Sequence, residues 1–174
     1  ACTIASGRDL GNIQPFLQQL NWLSIPVIAE QGAVIISPDG KRMLLERVVS
    51  RRILLASAAT VRTAPMPLNI VLYGKSEPQA FRSAGAPCFV HGSQADWYAA
   101  HMTAVPDDGG IRTEGVRKIS VRCLPEETET VRKLLVKNLG TQANAVIADA
   151  GFINIMDADV NKGTGLQWLM KYLE

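Results

Sequence analysis

The stretch Thr3-Ile4-Ala5-Ser6-Gly7-Arg8-Asp9, TIASGRD, is an apolar run that ends in a small hydroxyl residue and a glycine, directly before a helical pattern. Strand, tight turn and helix in that order predict the opening of an α/β unit. The same order is how a phosphate site is often built, because a helix N-terminus carries unsatisfied N–H groups and the positive end of the helix dipole. Ser6 brings a hydroxyl and Gly7 a backbone N–H that can approach a ligand closely.

Working outward, Cys2 to Ala5 reads as a short strand and the residues from Asp9 as a helix. Its stripe is Ile13, Phe16, Leu17 and Leu20. Pro15 conflicts with that helix by removing one backbone bond, so the helix either kinks or has its regular part start near Gln14. Pro26 to Ala29 and Ala33 to Ile36 read as apolar strands. Ser37-Pro38-Asp39-Gly40 is the turn into Arg42 to Leu45.

The middle of the chain reads as a longer α+β series: a helix from Ser50 to Arg62, then a strand from Leu68 to Tyr73 with Pro87 to Val90 as its pairing partner. Gly74 to Gly85 reads as a loop, Gln94 to His101 as a short helix, and Pro106 to Gly110 as another loop. A strand from Arg117 to Arg122 follows, then a helix with Pro125 in its first turn. Its acids come early (Glu126, Glu127, Glu129) and its bases late (Arg132, Lys133, Lys137), an order that suits the dipole. Two strands, Ala145 to Ala148 and Phe152 to Met156, lead to a last helix capped by Asn161. Leu166, Leu169, Met170 and Leu173 are its apolar face.

Composition narrows the class. Eighteen Lys+Arg against sixteen Asp+Glu give a formal charge of +2 in 174 residues. No run of about five or six like charges points to nucleic acid or an anionic membrane. No apolar run approaches the roughly 18 residues of a membrane span. Cys2, Cys88 and Cys123 are odd in number and form no Cys-x-x-Cys pair, which reads as reduced cytoplasmic thiols.

Several motifs tempt and fail. Gly74-Lys75-Ser76 resembles the end of a nucleotide-binding loop, but Asn69 stands where its first glycine is required. Asp157-x-Asp159-x-Asn161 resembles the start of a calcium loop, but Lys162 replaces the glycine and Trp168 the bidentate acid. Cys88 and His91 lack a second metal-binding pair. Trp97 and Tyr98 beside His101 could stack on a sugar or base, or simply pack the short helix.

What survives is a pair of pieces far apart in sequence: Ser6-Gly7 at a strand end, and Lys162 at a helix start. Joined by a long α+β insertion, they resemble a haloacid dehalogenase (HAD) superfamily phosphatase of the Cof-like type, whose cap is inserted between its second and third catalytic motifs. The family's Thr-Gly-Arg motif is similar to Ser6-Gly7-Arg8, and its Glu-Asn-Gly-Ala strand start to Glu30-Gln31-Gly32-Ala33. Its Lys-Gly-x-Ala-Leu helix is similar to Lys162 to Leu166, after a loose match through Asn154-Ile155. Gln31 stands for the usual Asn, and Gly165 for the usual Ala. The family's Asp-x-Asp-Gly-Thr and Gly-Asp-x-x-Asn-Asp motifs occur nowhere in the sequence.

The resemblance implies an α/β fold: a partial Rossmann-like HAD core at residues 1–46 and 159–174, with an α+β cap at 47–158. It implies a phosphatase with a phosphoaspartyl mechanism, acting on small phosphorylated metabolites such as sugar phosphates. Ser6 and Lys162 would be catalytic, with Gly7, Arg8, Gln31 and Gly32 at the substrate. Magnesium would serve the intact protein and be bound by none of these residues, so the chain is expected to be a segment that is inactive alone. A cytoplasmic monomer or weak homodimer is expected, with Gly74 to Gly85 and Pro106 to Gly115 as specificity loops. The alternative is a non-catalytic α/β module that binds a ligand or partner.

Overall fold

The computed structural model describes residues 2–20, 23–75, 77–90, 95–107 and 110–174. In chain order the elements are α1 (Leu10–Leu17), β1 (Val27–Ala29), β2 (Val34–Ile36), β3 (Met43–Glu46), α2 (Arg51–Thr63), β4 (Asn69–Gly74), β5 (Gln79–Arg82), α3 (Ala95–His101), β6 (Thr103–Ala104), β7 (Val116–Arg122), α4 (Thr128–Leu139), β8 (Ala143–Asp149), β9 (Phe152–Asp157) and α5 (Lys162–Leu173). They form two compact units, one of Ala1–Val48 with Ala158–Glu174 and one of Val49–Asp157. No helix among the described residues is long and apolar enough to cross a membrane.

In the first unit β1, β2 and β3 form an antiparallel sheet in that order, with Ile28 opposite Ile35. Alternate side chains leave a strand on opposite faces, so β1 and β2 feed two clusters. Val27, Ala29, Val34 and Ile36 pack with Ile13 and Leu17 of α1, while Ile28 and Ile35 pack with Leu169 of α5. A sheet buried on both faces explains why its strands are uninterrupted apolar runs.

Three expectations for this unit are corrected. Cys2 to Ala5 is not a strand: only Ala5 bridges, in parallel, to Ile28. The flanking bonds are Ile28 N–H to the Ile4 carbonyl at 2.9 Å and Ser6 N–H to the Ile28 carbonyl at 2.8 Å. One step further Pro26 has no N–H to donate, and its carbonyl accepts from the Thr3 hydroxyl, so the ladder ends. Helix α1 runs from Leu10 through Pro15, and the Asp9 side chain caps it by accepting the Asn12 N–H at 3.0 Å. Its regular part therefore does not wait for Gln14, and Phe16, expected in the stripe, is half exposed. On α5 only Leu169 of the expected apolar face is buried, at 1% exposure, against 46% for Leu166, 60% for Met170 and 51% for Leu173.

The second unit is built on a six-stranded sheet ordered β6-β5-β4-β7-β9-β8, antiparallel except for the β5–β6 pair. One face carries Ile70, Leu72, Ile119, Val121, Ile153 and Ile155, covered by Leu54, Val61, Val131 and Leu135 of α2 and α4. On the other, Val71, Tyr73 and Ala80 pack with Tyr98 and Met102 at α3. The strand partner expected at Pro87 to Val90 is instead a loop tied down by Asn69, whose amide donates to the Pro87 carbonyl and accepts the Phe89 N–H. The true partner is β5, inside the expected Gly74 to Gly85 loop. Its Ala80 and Phe81 point to opposite faces and are both buried. Ser76, His91, Gln94, Asp108 and Gly109, which figure in the motifs and boundaries above, lie outside the described residues.

Candidate functional site

Ser6 is held through its backbone and keeps its hydroxyl proton. Its N–H donates to Ile28, its carbonyl accepts the Gln31 N–H at 3.1 Å, and its Oγ accepts the Arg8 N–H at 3.1 Å. An Oγ that accepts from two residues ahead is a hydroxyl-closed turn. The O–H remains available to donate.

The next segment, Glu30-Gln31-Gly32, is a left-handed turn with φ of 49°, 61° and 98°. Glu30 and Gln31 are the non-glycine residues with positive φ among the described residues, a conformation that persists only when its surroundings impose it. They do so here. The Glu30 N–H donates to the Arg8 carbonyl at 3.0 Å, and the fully buried Glu30 carboxylate accepts the Leu10 N–H at 3.2 Å. A carboxylate at the first turn of α1 also suits the helix dipole. Sequence reasoning missed this latch; a lone acid inside an apolar run such as Pro26 to Ile36 must find donors when buried, and that was the available signal.

Two glycines close the site. A β-carbon on Gly7 would stand 2.6 Å from Gln31 Nε2, so the Gln31 side chain lies directly on the Gly7 backbone. A β-carbon on Gly32 would stand 2.1 Å from the Asn161 carbonyl oxygen and 3.2 Å from the Lys162 nitrogen. The turn thus packs backbone to backbone against the start of α5. Asn161 and Thr164 form a reciprocal capping box there, with Thr164 N–H on Asn161 Oδ1 at 2.9 Å and Asn161 N–H on Thr164 Oγ1 at 3.1 Å.

Ser6, Gly7, Gln31, Gly32 and Lys162, predicted from three distant segments, are therefore linked by direct approaches within one unit. Lys162 is exposed, and its ammonium has no hydrogen-bond or salt-bridge partner among the described residues. Arg8 goes elsewhere: its guanidinium lies 5.2 Å from the Phe16 ring centroid. Two donors at the start of α1 are also in use, since Leu10 N–H is held by Glu30 and Asn12 N–H by Asp9. Left free to donate here, among the described residues, are the Lys162 ammonium at the first turn of α5 and the Ser6 hydroxyl.

The polar residues of the Asp157-x-Asp159-x-Asn161 pattern are each engaged elsewhere. Asp157 accepts the Ser50 N–H within the second unit, Asp159 pairs with Arg47 at 3.4 Å in the first, and Asn161 is a cap, which removes the calcium-loop pattern. Among the described residues no group of three or more His, Cys, Asp or Glu comes together. The donor set of hydroxyl, amide and ammonium suits an oxyanion and does not fit magnesium.

The family model for haloacid dehalogenase-like hydrolases matches residues 1–174. No curated protein matches the chain. Among solved structures, a haloacid dehalogenase-like hydrolase from Bacteroides thetaiotaomicron aligns with a TM-score of 0.72 at 18% identity over 98% of this chain and 63% of its own. A sugar phosphatase of subclass IIB aligns with a TM-score of 0.69 at 14% identity over 98% of this chain and 62% of its own. A third, a phosphatase from Bacteroides thetaiotaomicron, aligns at 0.65 and 17% over 98% of this chain and 59% of its own. The chain thus spans about three fifths of the structures it matches, and likeness at these identities carries the α/β fold alone.

Proposed function

The chain belongs to the haloacid dehalogenase-like hydrolase family, and from that premise we propose that it is part of a magnesium-dependent phosphatase acting on small phosphorylated metabolites such as sugar phosphates. Residues 1–48 and 158–174 are read as part of its core and residues 49–157 as its inserted α+β cap. The protein is placed in the cytoplasm as a monomer or weak homodimer, without nucleic-acid or membrane partners. The observation that carries the reading is the pair of close approaches, Gly7 under Gln31 and Gly32 against the backbone of Asn161 and Lys162, which link the Ser6-Gly7 turn to the start of α5.

Phosphoryl transfer is accelerated mainly by positioning and by donors fixed where negative charge gathers. In this reading the Ser6 hydroxyl donates to one phosphoryl oxygen, and the Lys162 ammonium, set at the first position of α5, neutralises a second. Gln31 fixes the Gly7 backbone beside them. The residues of this chain supply neither the attacking carboxylate nor the magnesium ligands, and those roles fall to other parts of the intact protein.

The test is magnesium-dependent hydrolysis of p-nitrophenyl phosphate by the longer gene product, in parallel with this chain. Ser6→Ala and Lys162→Ala in the longer protein are expected to lower kcat by about 100- to 1,000-fold each with the fold retained by circular dichroism. Wild-type turnover in both would sink the site assignment. Activity in neither wild-type protein would favour a ligand-binding module.

A further inference from the structure

The Trp97-Tyr98-His101 group is split by the fold, and the split points to a ligand. Tyr98 turns into the core at 1% exposure, while Trp97 stays at the surface at 36%. The indole is fixed from two sides. Its ring meets Tyr98 edge-on at 5.0 Å between centroids and 90° between planes, and stacks on His101 at 4.5 Å and 15°. His101 is fixed in turn, because its Nδ1 lies 2.7 Å from the Trp97 carbonyl, an oxygen that can only accept. In the neutral ring Nδ1 therefore carries the proton and Nε2 is left as an acceptor.

This rigid pair lines a cleft of about 260 Å³ within the second unit, together with Glu77, Phe81 and Thr103. Phe81 lines it at 7% exposure with its ring packed on the α2 and α4 side of the sheet, and Thr103 is its register partner on the edge strand β6. Gln79, also on the wall, is spent: its amide donates to the Arg112 carbonyl at 3.0 Å and accepts the Arg112 N–H at 2.9 Å. The Glu77 carbonyl accepts from the Arg112 guanidinium at 2.6 Å, which pins the residue by its backbone. Its exposed carboxylate has no partner among the described residues.

We propose that this cleft is a carbohydrate-binding site for an unphosphorylated sugar ring, with the C–H face of the ring against the Trp97 indole. A preorganised aromatic surface loses little conformational entropy on binding. Around it stand three groups suited to hydroxyls: the Glu77 carboxylate, the Thr103 hydroxyl and His101 Nε2. Among the described residues no Lys or Arg lines the cleft. A phosphate brought there would meet the Glu77 carboxylate, and the Arg112 guanidinium beside it already donates to the Glu77 carbonyl, so the site discriminates against sugar phosphates and nucleotides, and an amino sugar gains an ion pair. The site stands on the second unit alone and does not depend on the phosphatase reading.

The test is a titration of the whole 174-residue chain followed by its tryptophan indole N–H signals, of which the sequence supplies three. Trp97→Phe identifies the signal of interest. With methyl glucoside and with glucosamine, that signal is expected to shift and saturate while the other two stay still. Thr103→Val and Glu77→Gln, both exposed positions that leave the fold intact, weaken the response, and Glu77→Gln costs glucosamine several-fold more than methyl glucoside. Glucose 6-phosphate and adenosine monophosphate are expected to leave the signal unmoved. Absence of a saturable shift with either sugar at millimolar concentration overturns the proposal. So does a shift with glucose 6-phosphate or adenosine monophosphate of the same size as with the sugars.

Discussion

The Gln31 carboxamide fills the space that a side chain on Gly7 would need: a β-carbon there would stand 2.6 Å from Nε2 and 3.0 Å from Cδ. The obstructing atoms are the far end of a flexible side chain, so the backbone has no need to move. Gly7→Ala is expected to cost about 1 kcal/mol, and the Gly7→Ala/Gln31→Ala pair less than the sum of the single changes. A double-mutant cycle in urea reads the coupling, with about 0.5 kcal/mol as the smallest value that supports the contact.

Gln31 itself sits at φ 61°, where asparagine is tolerated better than most side chains. Gln31→Asn is expected to relieve part of the strain and raise stability by about 0.5 kcal/mol, although the shorter amide leaves Gly7 less covered. Chemical denaturation measures the gain. A loss above about 1 kcal/mol would mean that the Gly7 contact outweighs the backbone term.

Gly32 has no such latitude. It combines φ 98° with a β-carbon position 2.1 Å from a backbone oxygen, and neither term can relax without moving α5. Gly32→Ala is expected to destabilise by about 3 kcal/mol or more. A melting temperature within a degree or two of the parent would refute the close packing.

At the start of α5 two neighbouring substitutions separate structure from binding. Asn161→Ala removes one half of the capping box and is expected to cost about 1 kcal/mol. Lys162→Ala removes an exposed ammonium and is expected to change stability by less than about 0.5 kcal/mol. The reverse order in thermal denaturation would show that Lys162 has a structural duty.

The thiols offer a test of the second unit. Burial pushes the Cys123 thiol up from its ordinary value of 9.0, opposed by the Thr128 hydroxyl and reinforced by Glu127 and Glu126. A raised folded-state value means that the contribution to stability is complete below pH 9.0 and is lost as the pH rises through the folded value. Cys2 is exposed and Cys123 is buried. At pH 8 an alkylating reagent is expected to modify Cys2 first and Cys123 only after unfolding, as read by mass spectrometry. Equal labelling rates would show that the β7 end opens freely.

Sequence pattern found most elements because their apolar periods are strong. The strands β1 and β2 and the cap at Asn161 are legible from a few residues each. β5 was hidden because Gln79-Ala80-Phe81-Arg82 is short, flanked by turn residues, and buried on both faces, so no clean alternation marks it. Apolar period also says nothing about whether a partner exists, which is why Leu166, Met170 and Leu173 read as a face yet lie exposed. At the candidate site, residue types were legible and contacts were not. Nothing in Glu30-Gln31-Gly32 as letters announces three positive φ angles, and the meeting of Gly32 with Asn161 depends on how α5 docks on the sheet.

Pro26 has a further consequence, for time rather than geometry. Because it ends the parallel ladder after one bridge, residues 2–6 are tied to the segment 26–31 by the two bonds to Ile28, the Thr3 hydroxyl on Pro26 and the Gln31 N–H on the Ser6 carbonyl. So few ties can release without dissolving the sheet, which makes this segment a low-energy local opening. The Ser6 hydroxyl is then expected to hold its place for a shorter time than the fold lasts, and in the proposed phosphatase the rate of that opening would set an upper limit on how long a phosphoryl oxygen stays bound to it.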